Sequence, residues 1–341
     1  MDPVAGQRVY ITRSRAQAIC RKSQISKRFP VLIYTGPVRL RQISYLGIGF
    51  LALAVAGVST ATAQPIERSL WVSVVDQSGA PVSGLGPGDF VVREDNATRE
   101  ILRVVPAEEP MQVAVLVDTS QAVRNDIANI RTALPAFLNT LTRPNDAGRH
   151  NEIALIGFGD RPTILTDYTP DNAALQKGVG RLFPMPGSGP YLLDAIEEVS
   201  VGFKKREAAR PVVVAIAMEA RELSYRAYDQ VLSALKDASA PLYALMIGQP
   251  RDDLTDEGRN RAIVLDRGTS ETGGRRDQLL TSMALDAHLK QLADQLTHMY
   301  RVVYARPESL IPPEKVTISG KNPALIVQGT PVKEPKPQRR P

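Results

Sequence analysis

Between residues 110 and 305 two hydrophobic patterns take turns along the chain. Short unbroken apolar runs, rich in Val, Ile and Leu, suit strands buried on both faces. They are Gln112-Val-Ala-Val-Leu-Val-Asp118, Glu152-Ile-Ala-Leu-Ile-Gly157-Phe-Gly159, Thr163-Ile-Leu-Thr166, and residues 210–217, 242–247 and 300–304. Between them, apolar positions recur every three or four residues, the spacing of helices with one buried face. That spacing predicts helices over residues 123–141, 172–182, 191–204, 225–238 and 283–299. Helices linking parallel strands imply right-handed crossovers and an α/β fold with a doubly wound, mostly parallel sheet. A long polar loop at 249–277 breaks the alternation, and its highly charged part, 251–277, is expected to be disordered or, as the alternative, to contact a partner.

The two ends of the chain read differently. Residues 70–75, 89–93 and 101–105 have the character of short strands separated by turn residues, and residues 315–319 and 324–327 add two more. About forty residues rarely build a stable core alone. Residues 64–109 and 306–331 are therefore expected to form one small β-rich module, with the larger domain (110–305) inserted between them. Trp71 reads as a core residue of that module. Residues 332–341, rich in Pro, Lys and Arg, are expected to be a disordered tail.

Composition changes this picture in one place. Over 341 residues, 43% hydrophobic and 23% charged content are those of an ordinary globular protein. The net charge of +6 is unevenly placed: residues 1–63 hold nine Lys and Arg against the single acid Asp2. The totals of 42 and 36 then leave 33 basic and 35 acidic residues elsewhere, no electrostatic footprint for nucleic acid. Within that leader, Arg39 and Arg41 precede an apolar segment at 43–58 and the small-residue ending Ser-Thr-Ala61-Thr-Ala63. This is the layout of a signal peptide cleaved after Ala63, or of an uncleaved amino-terminal anchor. The chain is thus expected to be exported, periplasmic or secreted, and to meet a membrane only if the leader stays attached. Its single cysteine, Cys20, allows no intrachain disulfide.

Candidate chemistry gathers where the first buried run ends, at Asp118-Thr-Ser120. Open sheets of this kind place ligands at the carboxyl ends of their strands, although Asp and Ser also commonly cap a following helix. The run resembles the first strand of a von Willebrand factor A (VWA) domain, which carries Asp-x-Ser-x-Ser at the opening of a metal-ion-dependent adhesion site. Gly157-Phe-Gly159-Asp160, Tyr191-Leu-Leu-Asp194-Ala-Ile196 and Thr272-Gly-Gly-Arg275 are similar to three further VWA motifs. The segment from Val74 to Asp95 resembles the amino-terminal part of a VWFA-related group common in Acidobacteria. The resemblance implies that two serines and a threonine would bind Mg²⁺ directly, with a second Asp acting through water. Here the second serine is Ala122, Pro190 stands at the threonine and Met218 at the second Asp, with Glu219 beside it.

Ala, Pro and Met offer no side-chain oxygen to an ion that demands near-octahedral oxygen coordination. The remnant Asp118 and Ser120 are therefore expected to cap the helix and order the loop, with no metal and no cofactor bound. The resemblance implies a module that binds another protein. Its expected contact surface is residues 118–122, 187–190 and 218–221, with Pro190 and Met218 offering apolar contact in place of ionic capture. The first alternative keeps Mg²⁺-dependent adhesion, with Glu219 completing the site. The second is a hydrolase, but His150, His288 and His298 lack metal-pair spacing and no nucleophile elbow, Walker loop or dinucleotide fingerprint is present. No catalytic residue is assigned.

Overall fold

The structure is a computed structural model and describes residues 65–251, 253–308 and 311–333. The leader, the signal segment and residues 334–341 of the tail lie outside the described residues. In chain order the elements are β1 (Ile66–Val75), β2 (Phe90–Glu94), β3 (Ala97–Arg99), β4 (Ile101–Pro106), β5 (Gln112–Asp118) and α1 (Ile127–Thr142). Next come β6 (Glu152–Phe158), β7 (Pro162–Thr169), α2 (Asn172–Gly180), α3 (Leu192–Lys205), β8 (Pro211–Met218), α4 (Tyr228–Ala238) and β9 (Leu242–Ile247). The chain continues through α5 (Asp256–Ile263), a π-helical turn (Val264–Gly268), the short α6 (Thr269–Thr272), β10 (Arg275–Leu279) and α7 (Leu285–Thr297). It closes with β11 (Tyr300–Arg306), β12 (Val316–Gly320) and β13 (Ile326–Pro331).

Six strands form the central sheet in the order β10-β9-β8-β5-β6-β7. All neighbours are parallel except β6 and β7. Period-two alternation divides each inner strand between two cores. Val113, Val115 and Val117 face α1, α2 and α7, whereas Ala114 and Leu116 face α3 and α4. Both faces are covered, which is why these strands read as unbroken apolar runs. From β5 the chain runs toward β6 and β7, then returns to place β8 on the other side of β5. The carboxyl ends of β5 and β8 are thus the switch point, where such sheets leave a crevice. Asp118 and Met218 are the last residues of these two strands.

Two predicted elements differ. The first helix begins at Ile127, not at 123, because Ser120 caps a separate 3-10 turn (Gln121–Val123) through the Ala122 N–H. The stretch expected to be a disordered loop is folded into α5, the π turn, α6 and β10. Thr255 caps α5 by accepting from the Gly258 N–H at 3.1 Å, and Asp253 in turn accepts from Thr255. Most of its charges point outward, whereas Gly258, Arg261, Val264, Leu265 and Gly268 are buried, so the buried face is too polar to show as hydrophobic periodicity.

The ends of the chain come together in a four-stranded sheet, β13-β1-β11-β4, and a three-stranded sheet, β12-β2-β3. Asp95 and Asn96, both at positive φ, make the tight turn between β2 and β3. Leu70, Val72, Val74, Phe90, Val92, Val302 and Tyr304 fill the space between these sheets. Two sequence expectations change. Residues 300–304, expected to close the larger domain, form the strand β11 that pairs with β1 and β4 instead. Trp71, expected in the core of the module, packs into the α/β core on the opposite face of β1, under the guanidiniums of Arg210 and Arg301. Strand β1 is covered on both faces, so its pattern alone does not tell which core takes the odd positions.

Candidate functional site

The loops at the carboxyl end of the sheet are laced to one another by backbone. The Met185 N–H donates to the Thr119 carbonyl at 2.8 Å, and the Gln121 N–H to the Ser188 carbonyl at 3.2 Å. Leu223 N–H donates to the Pro190 carbonyl at 3.0 Å, joining the loop before α3 to the loop after β8. The approach is close: a Cβ on Gly189 would run into the Leu223 side chain. On the other flank, Ser282 donates to Asp126 at 2.6 Å and accepts from Asn129, tying the β10–α7 connection to the start of α1. Together with the β9–α5 loop, whose Gly248 N–H donates to the Leu279 carbonyl at 2.8 Å, these four loops form one continuous rim.

At its centre Asp118 is fully buried. Its Oδ1 accepts from the Ser120 N–H at 2.8 Å and its Oδ2 from the Met218 N–H at 3.1 Å, so it bridges the ends of β5 and β8. Burial pushes the carboxyl above its ordinary range, against the pull of the Ser120 and Met218 hydrogen bonds and of the Arg261 charge. Ser120, also fully buried, directs its oxygen at the Ala122 N–H at 3.2 Å. The two remnants of the Asp-x-Ser-x-Ser pattern thus order the loop with the atoms a metal would need.

The donor set does not fit a hard dication. Ala122, Pro190 and Met218 bring no side-chain oxygen to the near-octahedral shell such an ion demands. Glu219, through which a rescued site was conceivable, is committed elsewhere. Its Oε2 accepts from Arg261 at 3.1 Å and its Oε1 from Arg276 at 3.0 Å, and its side chain is only 3% exposed. A second carboxylate, Glu222, was not singled out by sequence and is 1% exposed. Its Oε1 accepts from the N–H groups of Leu192 and Ser224, at 3.0 and 3.2 Å, which fixes the start of α3. Burial pushes Glu222 up as well, opposed by its Ser224 hydrogen bond and by Arg261.

The expected contact surface is corrected in part. Gln121, Ala122, Gly187 and Arg221 are exposed, but Asp118, Ser120 and Pro190 are buried and offer nothing to a partner. Apolar contact instead comes from side chains on the tips of the rim loops. Among the described residues, five large hydrophobics are more than 70% exposed, and four of them are Tyr225, Leu254, Leu280 and Met283 on this rim. Phe183 and Met185, at 58% and 42%, lie on the same edge. Sequence reasoning missed them because single apolar residues in polar loops carry no periodicity.

The histidines build no catalytic arrangement with one another. His150 is exposed with its Nδ1 3.1 Å from the Thr142 carbonyl, His288 stands 3.7 Å from Asp277, and His298 turns back on the Asp294 carbonyl. A cavity of about 770 Å³ lies beside α3, lined by Tyr168, Asp194, Glu197, Arg206 and Arg226 among others. Within it Arg226 bridges Asp194 and Glu197 at 2.7 and 2.8 Å, and Arg206 covers the Tyr168 ring.

A doubly wound sheet with its crevice at the β5–β8 switch point defines an open α/β domain of the kind that works from its carboxyl edge. Residues 113–217 match the family model of the von Willebrand factor type A (VWA) domain, and the central sheet has the fold of that domain. No curated protein matches the chain. Among solved structures it is similar to a von Willebrand factor type A protein from Catenulispora acidiphila, at 11% identity and a TM-score of 0.45, covering 80% of this chain and 72% of that one. It is also similar to the protein BatB from Bacteroides thetaiotaomicron, at 14% identity and a TM-score of 0.40, covering 55% and 98%. A third likeness is to the vWF domain of the type V pili tip protein Mfa5 from Porphyromonas gingivalis, at 10% identity and a TM-score of 0.41, covering 56% and 96%.

Proposed function

We propose that the chain is an exported protein of the VWFA-related kind that binds another protein through the rim of its VWA domain, without a divalent ion and without catalysis. One observation carries this reading: the apolar side chains left most exposed are concentrated on loops that hydrogen bonds knit into one edge. Exposed apolar clusters rimmed by polar residues mark interaction sites, and aromatic and Met side chains are enriched in interface cores. Tyr225, Leu254, Leu280 and Met283 supply the contact, Phe183 and Met185 extend it, and Arg221 and Gln121 lie between. Export rests on residues 43–63, and a periplasmic or secreted location follows from it.

A photoreactive residue placed at Tyr225 or Met283 in the producing cells tests the reading. Both positions should capture the same partner, in chelator as well as in Mg²⁺, whereas Ile164, exposed on the far edge strand β7, should not. Capture that vanishes in chelator would favour metal-dependent adhesion. Equal capture at Ile164 would remove the rim from the account.

A further inference from the structure

We propose that Arg261 is a cation built into the rim, taking the charge role a divalent ion would otherwise have beside β5 and β8. Three carboxylates stand buried at this edge: Asp118 at 0%, Glu222 at 1%, and Glu219 with a side chain 3% exposed. Carboxylates out of water are costly unless a positive charge and hydrogen bonds meet them. Arg261, itself 8% exposed, reaches all three by different routes. Its Nη2 donates to Glu219 Oε2 and to the Met218 carbonyl, both at 3.1 Å, and its Nε lies 3.8 Å from Glu222 Oε2. That oxygen accepts no hydrogen bond from a protein group, so the guanidinium is the positive charge that faces it. Asp118 is reached through Met218, whose N–H donates to the aspartate and whose carbonyl accepts from the arginine.

This arrangement accounts for the loss of the metal ligands together with the retention of Asp118. Both Asp118 oxygens receive backbone N–H groups, and Ala122, Pro190 and Met218 leave an ion no further side-chain oxygens beside them. What the buried carboxylates still lack is charge, which a guanidinium supplies while donating in a fixed fork. Helix α5 delivers it. The Thr255 cap starts the helix, and Gly258 lets the first turn lie against Asp253, where a Cβ would clash. Arg261, three residues on, then points into the rim. The segment that sequence reading took for a loose loop is therefore the element that carries the counter-ion. The inference stands whether or not a partner docks on the rim.

Thermal unfolding of the full chain tests it, comparing wild type, Arg261→Met, Glu222→Gln and the double variant, each with Mg²⁺, Mn²⁺ or chelator. Arg261→Met should lower the transition by on the order of 10 °C, because it strands buried carboxylates. Its effect should shrink by several degrees in the Glu222→Gln background, where one of those charges is gone. Wild type should melt at the same temperature in either metal and in chelator. If Arg261→Met does not fold, the triple variant Glu219→Gln, Glu222→Gln, Arg261→Met should, since of the three carboxylates only Asp118, which keeps its two N–H donors, is then left. Three results would overturn the proposal: a saturable rise of the wild-type transition with Mg²⁺ or Mn²⁺, an Arg261→Met loss that is the same in both backgrounds, or a triple variant that fails along with the single one.

Discussion

At the amino-terminal end of the sheet, Arg210 is 4% exposed and donates to the carbonyls of Ala107, Glu109 and Leu296, with its guanidinium over the Trp71 ring at 5.2 Å. At the carboxyl end, Arg261 is buried to a similar degree but faces carboxylates. One guanidinium meets dipoles and a π face, the other meets charge. The difference shows in protonation: burial brings Arg210 down to about 10, still fully charged at neutral pH. Dipoles suit a permanent joint, because nothing there titrates near neutrality. The base of the sheet is such a joint. Gln295 reaches Ser73 at 2.9 Å, and Thr330 donates to the Thr272 carbonyl at 2.7 Å, so the β module and the VWA domain are fastened as one body. The rim, by contrast, holds charges that only other charges balance, and its loop tips remain open to solvent.

Breaking the joint should have the largest effect. Trp71→Ala removes a large buried ring and the surface on which two guanidiniums rest, and should cost about 3–5 kcal/mol in denaturant unfolding. A somewhat smaller loss, roughly 2–3 kcal/mol, is expected of Gly274→Ala, whose Cβ would meet the Leu242 carbonyl where α6 turns into β10. If Trp71→Ala is silent, the module and the domain are not one folding unit.

The rim should respond to pH where the joint does not. Burial raises Glu222 in the folded chain, so its proton is held more tightly folded than unfolded. Its contribution to stability is then fully present below the unfolded carboxylate range and is lost as pH rises through the raised folded value. Glu222→Gln keeps the side-chain oxygen that accepts from Leu192 and Ser224. Its stability curve should therefore fall less than that of wild type as pH rises above the ordinary carboxylate range. A steeper fall would reverse the sign and remove the desolvated carboxylate from the rim. The smallest effect on stability, within about 0.5 kcal/mol, is expected of Tyr225→Ser and Met283→Ser. These same changes should abolish partner capture, which separates the docking surface from the structure beneath it.

The contrast between the two ends also explains what was legible in the sequence. Strands β5, β6, β8 and β9 announced themselves because both faces are apolar, and the end of β5 marked the switch point at Asp118. Helix α5 did not, because it buries Arg261 and Gly258 in place of leucines and so has no hydrophobic stripe. Glu222 looked like any surface acid until Leu192 and Ser224, some thirty and two residues away, were seen to donate to it. The face of Trp71 was undetermined because β1 lies between two cores. Pro190, read as an apolar contact, is covered by the loop it joins.

Titration of the wild-type chain with Mg²⁺ and then Mn²⁺ in a calorimeter bears most directly on the claim that the rim is closed by its own guanidinium. Only heats of dilution are expected. A saturable one-to-one heat that disappears in Asp118→Ala would contradict it.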